Sequence, residues 1–290
     1  MGLHRIGVIL LLTALAGCGT LGSLSEPESK PAVVAKPDTT QLLAAADATR
    51  NDGRFSEAIA IYQQVLVADR DSVEAQYGIA ECLLGAGSAA DARPIFQGLV
   101  SNDKFHALGL QGVGIANLAL DKREEAAKAL QDAIAADPKL WRAYNGLGLI
   151  ADWSRQPPVA LELYHKALTI NPASAVLLNN LGYSRLLAGK PDEAIANFHK
   201  ALALDPRSET VQNNLRLAVA AKGDYAGATR DVPREKQAVV LNNVGFIAMR
   251  RGDLSEAERL LSRAREANPQ FDETIAKNLD QLNALKAAPR

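Results

Sequence analysis

The chain has 290 residues, enough for one extended domain or two ordinary ones. Its 32 basic and 33 acidic side chains leave a net charge of −1. This argues against nucleic acid as a partner, because nucleic-acid-binding proteins present a clustered basic surface. Hydrophobic residues make up 48% of the chain but aromatic residues only 5%. Alanine and leucine supply the difference, and this balance predicts an all-α fold.

The first predicted element is a secretion signal at the N-terminus. Basic residues at His4 and Arg5 precede a mostly apolar run, residues 6–12, and small residues follow up to Cys18. A transmembrane helix is disfavoured, since the apolar run is shorter than the roughly 20 residues that span hydrocarbon. The pattern therefore predicts that residues 1–17 are a signal peptide.

The end of this signal, Leu15-Ala16-Gly17-Cys18, resembles a bacterial lipobox. The resemblance implies that the Cys18 thiol is acylated and that the peptide is cut just before it. This covalent lipid is the only non-protein group that we expect, and no cofactor or metal is predicted. Two or more acyl chains would anchor the protein stably. Because Gly19 rather than aspartate follows the cysteine, we expect the protein on the periplasmic face of the outer membrane, with inner-membrane retention as the alternative.

Residues 18–38 are predicted to be the lipidated cysteine and a flexible tether. They are rich in serine, proline, lysine, glutamate and glycine, and they show no helical periodicity. The tether would hold the folded part of the chain away from the bilayer.

Beyond the tether the sequence repeats with a period of 34 residues. Prolines that close helical segments stand at Pro138, Pro172 and Pro206. Three further sets of residues recur at the same interval of 34. The small residues are Ala58, Ala92, Ala126, Ala160, Ala194 and Ala228, and the bulky residues are Tyr62, Phe96, Leu130, Tyr164 and Phe198. The glycines are Gly114, Gly148 and Gly182. The period predicts two antiparallel helices per unit, with the glycine of the first and the alanine of the second where their backbones approach closely. The bulky residue is expected to fill the space beside that contact.

These markers resemble the tetratricopeptide repeat (TPR) family over residues 39–287. The resemblance implies a right-handed α-solenoid of about seven helix-turn-helix units with a C-terminal capping helix, whose inner groove is lined by the first helix of each unit. The units are 39–72, 73–106, 107–140, 141–174, 175–208, 209–237 and 238–271, with the cap at 272–287. Gly189, Gly223 and Gly252 suit the turns, where a left-handed backbone favours glycine. The sixth unit is short and contains Pro233, so we expect its second helix to be stunted.

Nothing in the sequence predicts an enzyme. It contains no Gly-rich phosphate loop, metal-ligand spacing or nucleophile elbow. His165 and His199 occupy equivalent positions in successive units. A pH-sensing or metal-binding pair is one interpretation, and a solvated outer face is the favoured one. We expect Cys82 to be buried and inert, and Trp141 and Trp153 to be packing residues rather than residues that stack on a ligand.

Asparagines recur at one place in the predicted groove, on successive first helices: Asn145, Asn179, Asn180, Asn213, Asn214, Asn242 and Asn243. Asparagine is a mediocre helix residue, so its repeated use indicates a purpose. An amide donates and accepts at once, and a ladder of amides could hold the backbone of an extended peptide. Similar ladders line the groove in some peptide-binding TPR proteins. The alternative is that these amides tie neighbouring repeats together. Four more side chains complete the predicted partner-binding groove: Arg142, Tyr183, Leu217 and Phe246.

One group of TPR lipoproteins is similar in more detail. Residues 213–218, the tripeptide Gly223-Asp224-Tyr225 and the last unit, from residue 241 to 269, resemble the TadD family of the tight-adherence (Flp) pilus machinery. The resemblance implies a non-catalytic scaffold that helps to assemble or localise the pilus secretin, so secretin components are the expected partners. A type IV pilus pilotin and a general periplasmic adaptor for cell-wall enzymes are the alternatives.

Overall fold

The structure is a computed structural model that describes residues 38–268, 270 and 272–287. The predicted signal peptide, the lipidation site Cys18 and most of the predicted tether lie outside these residues. Every regular element in the described part is a helix. In chain order the elements are α1 (Thr39–Asn51), α2 (Phe55–Ala68), α3 (Val73–Gly85), α4 (Ala89–Leu99), α5 (His106–Ala119), α6 (Arg123–Ala136), α7 (Trp141–Trp153), α8 (Pro157–Ile170), α9 (Ala175–Leu187), α10 (Pro191–Leu204), α11 (Glu209–Ala221), α12 (Tyr225–Ala228), a 3₁₀ turn (Arg234–Lys236), α13 (Gln237–Arg251), α14 (Leu254–Ala267) and α15 (Glu273–Ala287). Within this part of the chain, none of the helices has the length and hydrophobicity that a membrane crossing needs.

The helices pair along the chain, and the pairs stack. We call the first helix of each unit the A helix (α1, α3, α5, α7, α9, α11 and α13) and the second the B helix (α2, α4, α6, α8, α10, α12 and α14). Each A helix packs against its own B helix and against the neighbouring unit. Successive A helices also contact one another, whereas no comparable contact joins successive B helices in the described part. The A helices therefore lie on the inner side of a curved stack, and the predicted α-solenoid is confirmed.

Glycines of the A helices face bulky side chains of the B helices. A Cβ added to Gly148 would lie 2.6 Å from the ring of Tyr164, and one added to Gly182 would lie 2.7 Å from the ring of Phe198. Both rings are fully buried. The same interval of 16 residues joins Gly114 to Leu130 and Gly245 to Leu261. The glycine thus makes room for the bulky side chain itself, which corrects the expectation that this side chain only fills space beside the contact.

A left-handed residue lies in each turn from an A helix to its B helix. Five of these residues are glycines with φ between 73° and 92°: Gly53, Gly87, Gly189, Gly223 and Gly252. The other two, Asp121 and Arg155, have φ of 55°. The prediction for the last three glycines is confirmed. Because a left-handed backbone costs an ordinary residue roughly 1–2 kcal/mol, the two turns without glycine carry local strain.

The sixth unit is interrupted, as the sequence predicts. Its B helix, α12, has only 4 residues. Arg216 of α11 holds the chain beyond it, since Nη1 donates to the carbonyl oxygens of Ala228 at 2.9 Å and Arg230 at 2.8 Å. These bonds satisfy backbone acceptors that a longer helix would have paired. The stack continues because α11 contacts α13 directly.

The last helix, α15, covers the end of the stack. Its Ile275 and Leu282 are buried in one cluster with Val244 of α13 and Leu260 of α14. A solenoid needs such a terminal element, because its last repeat would otherwise expose an apolar face to water. The helix therefore acts as the predicted cap.

Candidate functional site

Two adjoining hollows open on the A helices in the middle of the stack. The first, the amide hollow, has a volume of about 430 Å³ and is lined by Leu149, Asp152, Trp153, Tyr164, Asn179, Asn180, Tyr183, Leu187 and Asn214. The second, the apolar hollow, has a volume of about 380 Å³ and is lined by Ile115, Leu118, Ala119, Trp141, Arg142, Asn145, Gly146, Leu149, Trp153 and Val176. Because they share Leu149 and Trp153, the two hollows form one surface.

Large apolar side chains are exposed in both hollows. The exposed fraction is 46% for Trp153, 57% for Val176, 40% for Tyr183 and 52% for Leu187. A single exposed apolar side chain needs no explanation, but four that share one surface are typical of an interaction site. The predicted groove residue Phe246, on α13, is also exposed. The inner face therefore carries an apolar surface that packing within the chain leaves open.

The predicted asparagine ladder is a chain of hydrogen bonds between amides. Asn214 Nδ2 donates to Asn179 Oδ1 at 2.9 Å, and Asn179 Nδ2 donates to Asn180 Oδ1 at 3.2 Å. Asn180 Nδ2 in turn donates to Asn145 Oδ1 at 2.9 Å, so the chain joins α11, α9 and α7. The amides tie repeats together, as the alternative interpretation expects. Each of these amides uses at most one N–H and one oxygen lone pair in the ladder. Within the described residues, its second N–H and its second lone pair bond to no other amide of the ladder.

A second, shorter amide chain lies near the C-terminus. Asn242 Nδ2 donates to Asn243 Oδ1 at 3.3 Å, and Asn278 of α15 donates to Asn242 Oδ1 at 2.8 Å. Asn242 is buried, so it supports its neighbours instead of meeting a partner, which corrects its predicted place in the groove. Asn213, Leu217 and Asn243 line a small depression between α11 and α13.

Asp152 places a carboxylate in the lining of the amide hollow. Its Oδ2 accepts the hydroxyl of Tyr164 at 2.9 Å, and its Oδ1 accepts the hydroxyl of Ser184 at 2.7 Å. Burial raises the pKa of Asp152 above the ordinary value of 3.8, although these two hydroxyl donors act to lower it. The same repeat position holds Leu118 and Leu186 in the flanking units, so packing alone does not require a carboxylate there.

An ion pair crosses the inner face beside the apolar hollow. Arg142 Nη1 lies 2.7 Å from Glu81 Oε2, and the two side chains are only 29% and 14% exposed. Arg142 is on α7 and Glu81 is on α3, so the pair passes over the intervening α5. The sequence predicts Arg142 as one of the partner-binding residues of the groove. Its charge is instead compensated within the chain, and it borders the hollow as half of a bridge.

The structure adds residues that were not in the predicted groove, among them Leu149, Asp152, Val176 and Leu187, and it brings both tryptophans, Trp141 and Trp153, into the lining. Trp153 was expected to be a packing residue, but it is exposed in both hollows. The 34-residue period contains the signal that finds these positions, since Leu149 is one period before Tyr183 and Trp153 one period before Leu187.

The other candidate residues lie away from this surface. His165 and His199 are exposed on B helices, which agrees with the solvated outer face favoured from the sequence. Cys82 is fully buried, and burial raises the pKa of its thiol, as expected for an inert cysteine. Within the described residues, no three histidine, cysteine or carboxylate side chains are grouped to hold a metal ion.

Two family models described as tetratricopeptide repeat match the chain, one over residues 43–107 and 114–175 and the other over residues 175–208. Together they cover more than half of the sequence. The chain belongs to the tetratricopeptide repeat family. TPR proteins bind peptide or protein partners and are generally non-catalytic, so the chain is a TPR protein-interaction scaffold.

Solved structures of other proteins, two of them described as TPR proteins, share this fold. A thermophilic TPR protein of Thermus thermophilus is 21% identical with a TM-score of 0.56, and the match covers 62% of this chain and 98% of that one. A TPR protein from Parabacteroides merdae is 15% identical with a TM-score of 0.52, over 84% of this chain and 98% of that one. The Cut9-Hcn1 hetero-tetramer of the APC/C is 19% identical with a TM-score of 0.61, over 86% of this chain and 50% of that one. A comparison with curated proteins gives no match.

Proposed function

We propose that this TPR protein holds an extended segment of a partner protein along its A helices, while a lipid on Cys18 attaches it to the periplasmic face of the outer membrane. The observation that carries the binding role is the joint surface of the two hollows. There, exposed apolar side chains lie beside amides that are already aligned by their own hydrogen bonds. Amides held in this way lose little conformational freedom on binding, which favours affinity.

The binding role is tested by removing amides from the ladder. In the variant Asn145→Ala, Asn180→Ala, Asn214→Ala, we expect partner capture to fall by about tenfold or more, because several hydrogen bonds of about 1 kcal/mol each are lost. The matched control replaces three exposed amides one period apart on B helices: Gln63→Ala, Gln97→Ala and Gln131→Ala. Capture by crosslinking and pull-down from the producing cells measures both. Equal yields from the two triple variants would refute groove binding by the amides.

The proposed system is the Flp pilus secretion apparatus, with secretin components as partners. Its support is the resemblance of residues 213–218 and of the last unit to the TadD family, together with the interrupted sixth unit. Crosslinking of the lipidated protein in intact cells, followed by identification of the captured proteins, is the test. Recovery of secretin supports the assignment. Recovery of cell-wall enzymes without secretin would replace it with the role of a periplasmic adaptor.

The lipid anchor is tested separately at Cys18. The variant Cys18→Ser removes the only thiol that the lipobox resemblance marks, so we expect it to lose incorporation of labelled fatty acid and to leave the membrane fraction. Cys82→Ser is the matched control, since that thiol is buried in the fold. Membrane attachment that survives Cys18→Ser would contradict the lipoprotein assignment, whatever the groove binds.

A further inference from the structure

Two aspartates on A helices are bonded alike but differ in how their charge is compensated. Asp47 accepts the hydroxyl of Tyr62 at 2.5 Å, and the guanidinium of Arg50 lies 3.2 Å from the same carboxylate. Asp152 accepts two hydroxyls, yet no lysine, arginine or histidine of the described residues lies within 4 Å of it. Its raised pKa agrees with this, since no cationic side chain is near enough to lower it. A half-buried carboxylate without a counter-charge favours a cation from outside.

The rest of the amide hollow suits a cation as well. Trp153 and Tyr183 expose aromatic surface to it, and aromatic faces attract cations. The ring of Trp153 already attracts one cation of the chain itself. The guanidinium of Arg123, which does not line the hollow, lies 4.8 Å from the ring centroid. None of the lining residues is basic, so no charge in the lining repels a cation.

The shape and remaining chemistry of the hollow fit a long side chain with a charged end. Leu149 and Leu187 supply apolar walls that an aliphatic stem can cover. Asn214 donates to the amide ladder while its Oδ1 accepts from no described side chain, which leaves an acceptor for an N–H group. With a volume of about 430 Å³, the hollow has room for one such side chain together with the backbone that carries it.

We propose that the amide hollow binds a lysine or arginine side chain of the partner segment, with Asp152 as its counter-charge and Trp153 and Tyr183 as its aromatic wall. The inference rests on the proposed function, in which the amides hold the backbone of the same segment. It assigns the partner a basic residue where the segment crosses α7 and α9.

The first experiment uses a probe that needs no backbone recognition. Nα-acetyl-arginine methylamide and its norleucine counterpart are titrated into the full-length chain, and the fluorescence of Trp141 and Trp153 is followed. We expect saturable quenching or a shift with the arginine compound and none with norleucine. Absence of any response to the arginine compound would overturn the inference.

The second experiment compares short blocked peptides of serine, threonine and alanine that carry arginine, norleucine or glutamate at the centre. By calorimetry we expect the arginine peptide to bind about tenfold or more tightly than the norleucine peptide, because Asp152 is half-buried and water screens its charge less than that of a surface carboxylate. Asp152→Asn removes the counter-charge and should make the two peptides equal, whereas the control Asp47→Asn should preserve the difference. Tyr183→Leu, at an exposed position, should weaken the binding of the arginine peptide only. This variant provides the test if Asp152→Asn folds poorly.

The two proposals fail separately. Equal binding of the arginine and norleucine peptides, or a preference for arginine that persists in Asp152→Asn, overturns the basic side chain and leaves groove binding intact. If the blocked arginine binds and depends on Asp152 while none of the peptides gains affinity over it, the cation site stands and the recognition of an extended backbone fails. Tightest binding of the glutamate peptide would reverse the proposed charge and overturn the inference.

Discussion

At the scale of single residues, the turns between A and B helices show which positions hold the repeat to its geometry. Seven turns adopt the left-handed conformation, and Asp121 and Arg155 do so without the freedom of glycine. The 34-residue period predicts that these two residues are equivalent to the turn glycines. The sequence could not show that they keep the left-handed backbone, because a different turn would have been compatible with either residue.

Arg155→Gly should therefore stabilise the protein. The substitution removes a left-handed cost of about 1 kcal/mol, and Arg155 is exposed, with no salt bridge found among the described residues. Denaturant unfolding, followed by circular dichroism, measures the change. The reverse exchange at an equivalent turn, Gly189→Ala with φ of 73°, should destabilise by a similar amount. A gain in stability from Gly189→Ala would show that the turns tolerate side chains freely.

Asp152 gives a pH dependence with a defined sign. Because the pKa of Asp152 is raised in the folded chain, the folded state holds the proton more tightly than the unfolded one. Its contribution to stability is present below the ordinary pKa of 3.8 and is lost as the pH rises through the raised value. We expect the melting temperature of the protein, relative to Asp152→Asn, to fall as the pH rises above about 4, the ordinary pKa of an aspartate. A difference that rises or stays flat would show that burial is not the dominant cause.

At the scale of the helices, the recurring contact is a glycine of helix A against a bulky side chain of helix B. The sequence predicts both residue types and their period, and hence the helix pairs. It could not predict that they meet each other, because 16 residues separate Gly148 from Tyr164 across a turn whose geometry sets the alignment. The amide ladder has the same limit. Its positions are periodic in the sequence, but its links run between helices, so the bonding order appears only once the units are stacked.

Gly148→Ala tests this contact. The added Cβ would lie 2.6 Å from the ring of Tyr164, so the ring or the helices must move, at a cost of about 1–3 kcal/mol. Gly98→Ala is the matched control, since it lies in helix α4 with no atom within 4 Å of the added Cβ. There the better helix propensity of alanine should stabilise by up to about 1 kcal/mol. The melting temperatures of the two variants should change in opposite directions. A change in the same direction would contradict the close contact between the glycine and the ring.

At the scale of the whole molecule, stacked repeats are expected to interact only with their neighbours. The Glu81–Arg142 pair departs from this, because it joins the second unit to the fourth. The sequence offers no signal for it, since the two residues are 61 positions apart, which is not a multiple of the 34-residue period. The carboxylate at Asp152 departs from the repeat in another way, because it stands where the two flanking units have Leu118 and Leu186. The sequence thus predicts the contacts that recur with the period, whereas the ion pair and the carboxylate, which occur once, appear only in the structure.

A double-mutant cycle with Glu81→Gln and Arg142→Gln measures this long-range link. We expect a coupling of about 1–2 kcal/mol in denaturant unfolding, because both side chains are largely screened from water. The exposed pair Lys104–Glu74, at 2.5 Å with side chains 71% and 42% exposed, provides the comparison. Its coupling should stay below about 0.5 kcal/mol. Similar couplings for the two pairs would mean that the bridge contributes no more than a surface contact.

We expect the bridge also to limit the length of a bound segment. Since the Glu81–Arg142 pair passes over α5, a chain held on the inner face would end in the apolar hollow, which α5 borders, and would cross α7, α9, α11 and α13. Helices pack at spacings of about 8–10 Å, so three intervals give a track of about 30 Å. An extended strand advances about 3.3 Å per residue, which makes the footprint about nine residues. We therefore expect the partner to be recognised through a short linear motif in a loop or tail, with one end of the motif beside the Glu81–Arg142 pair.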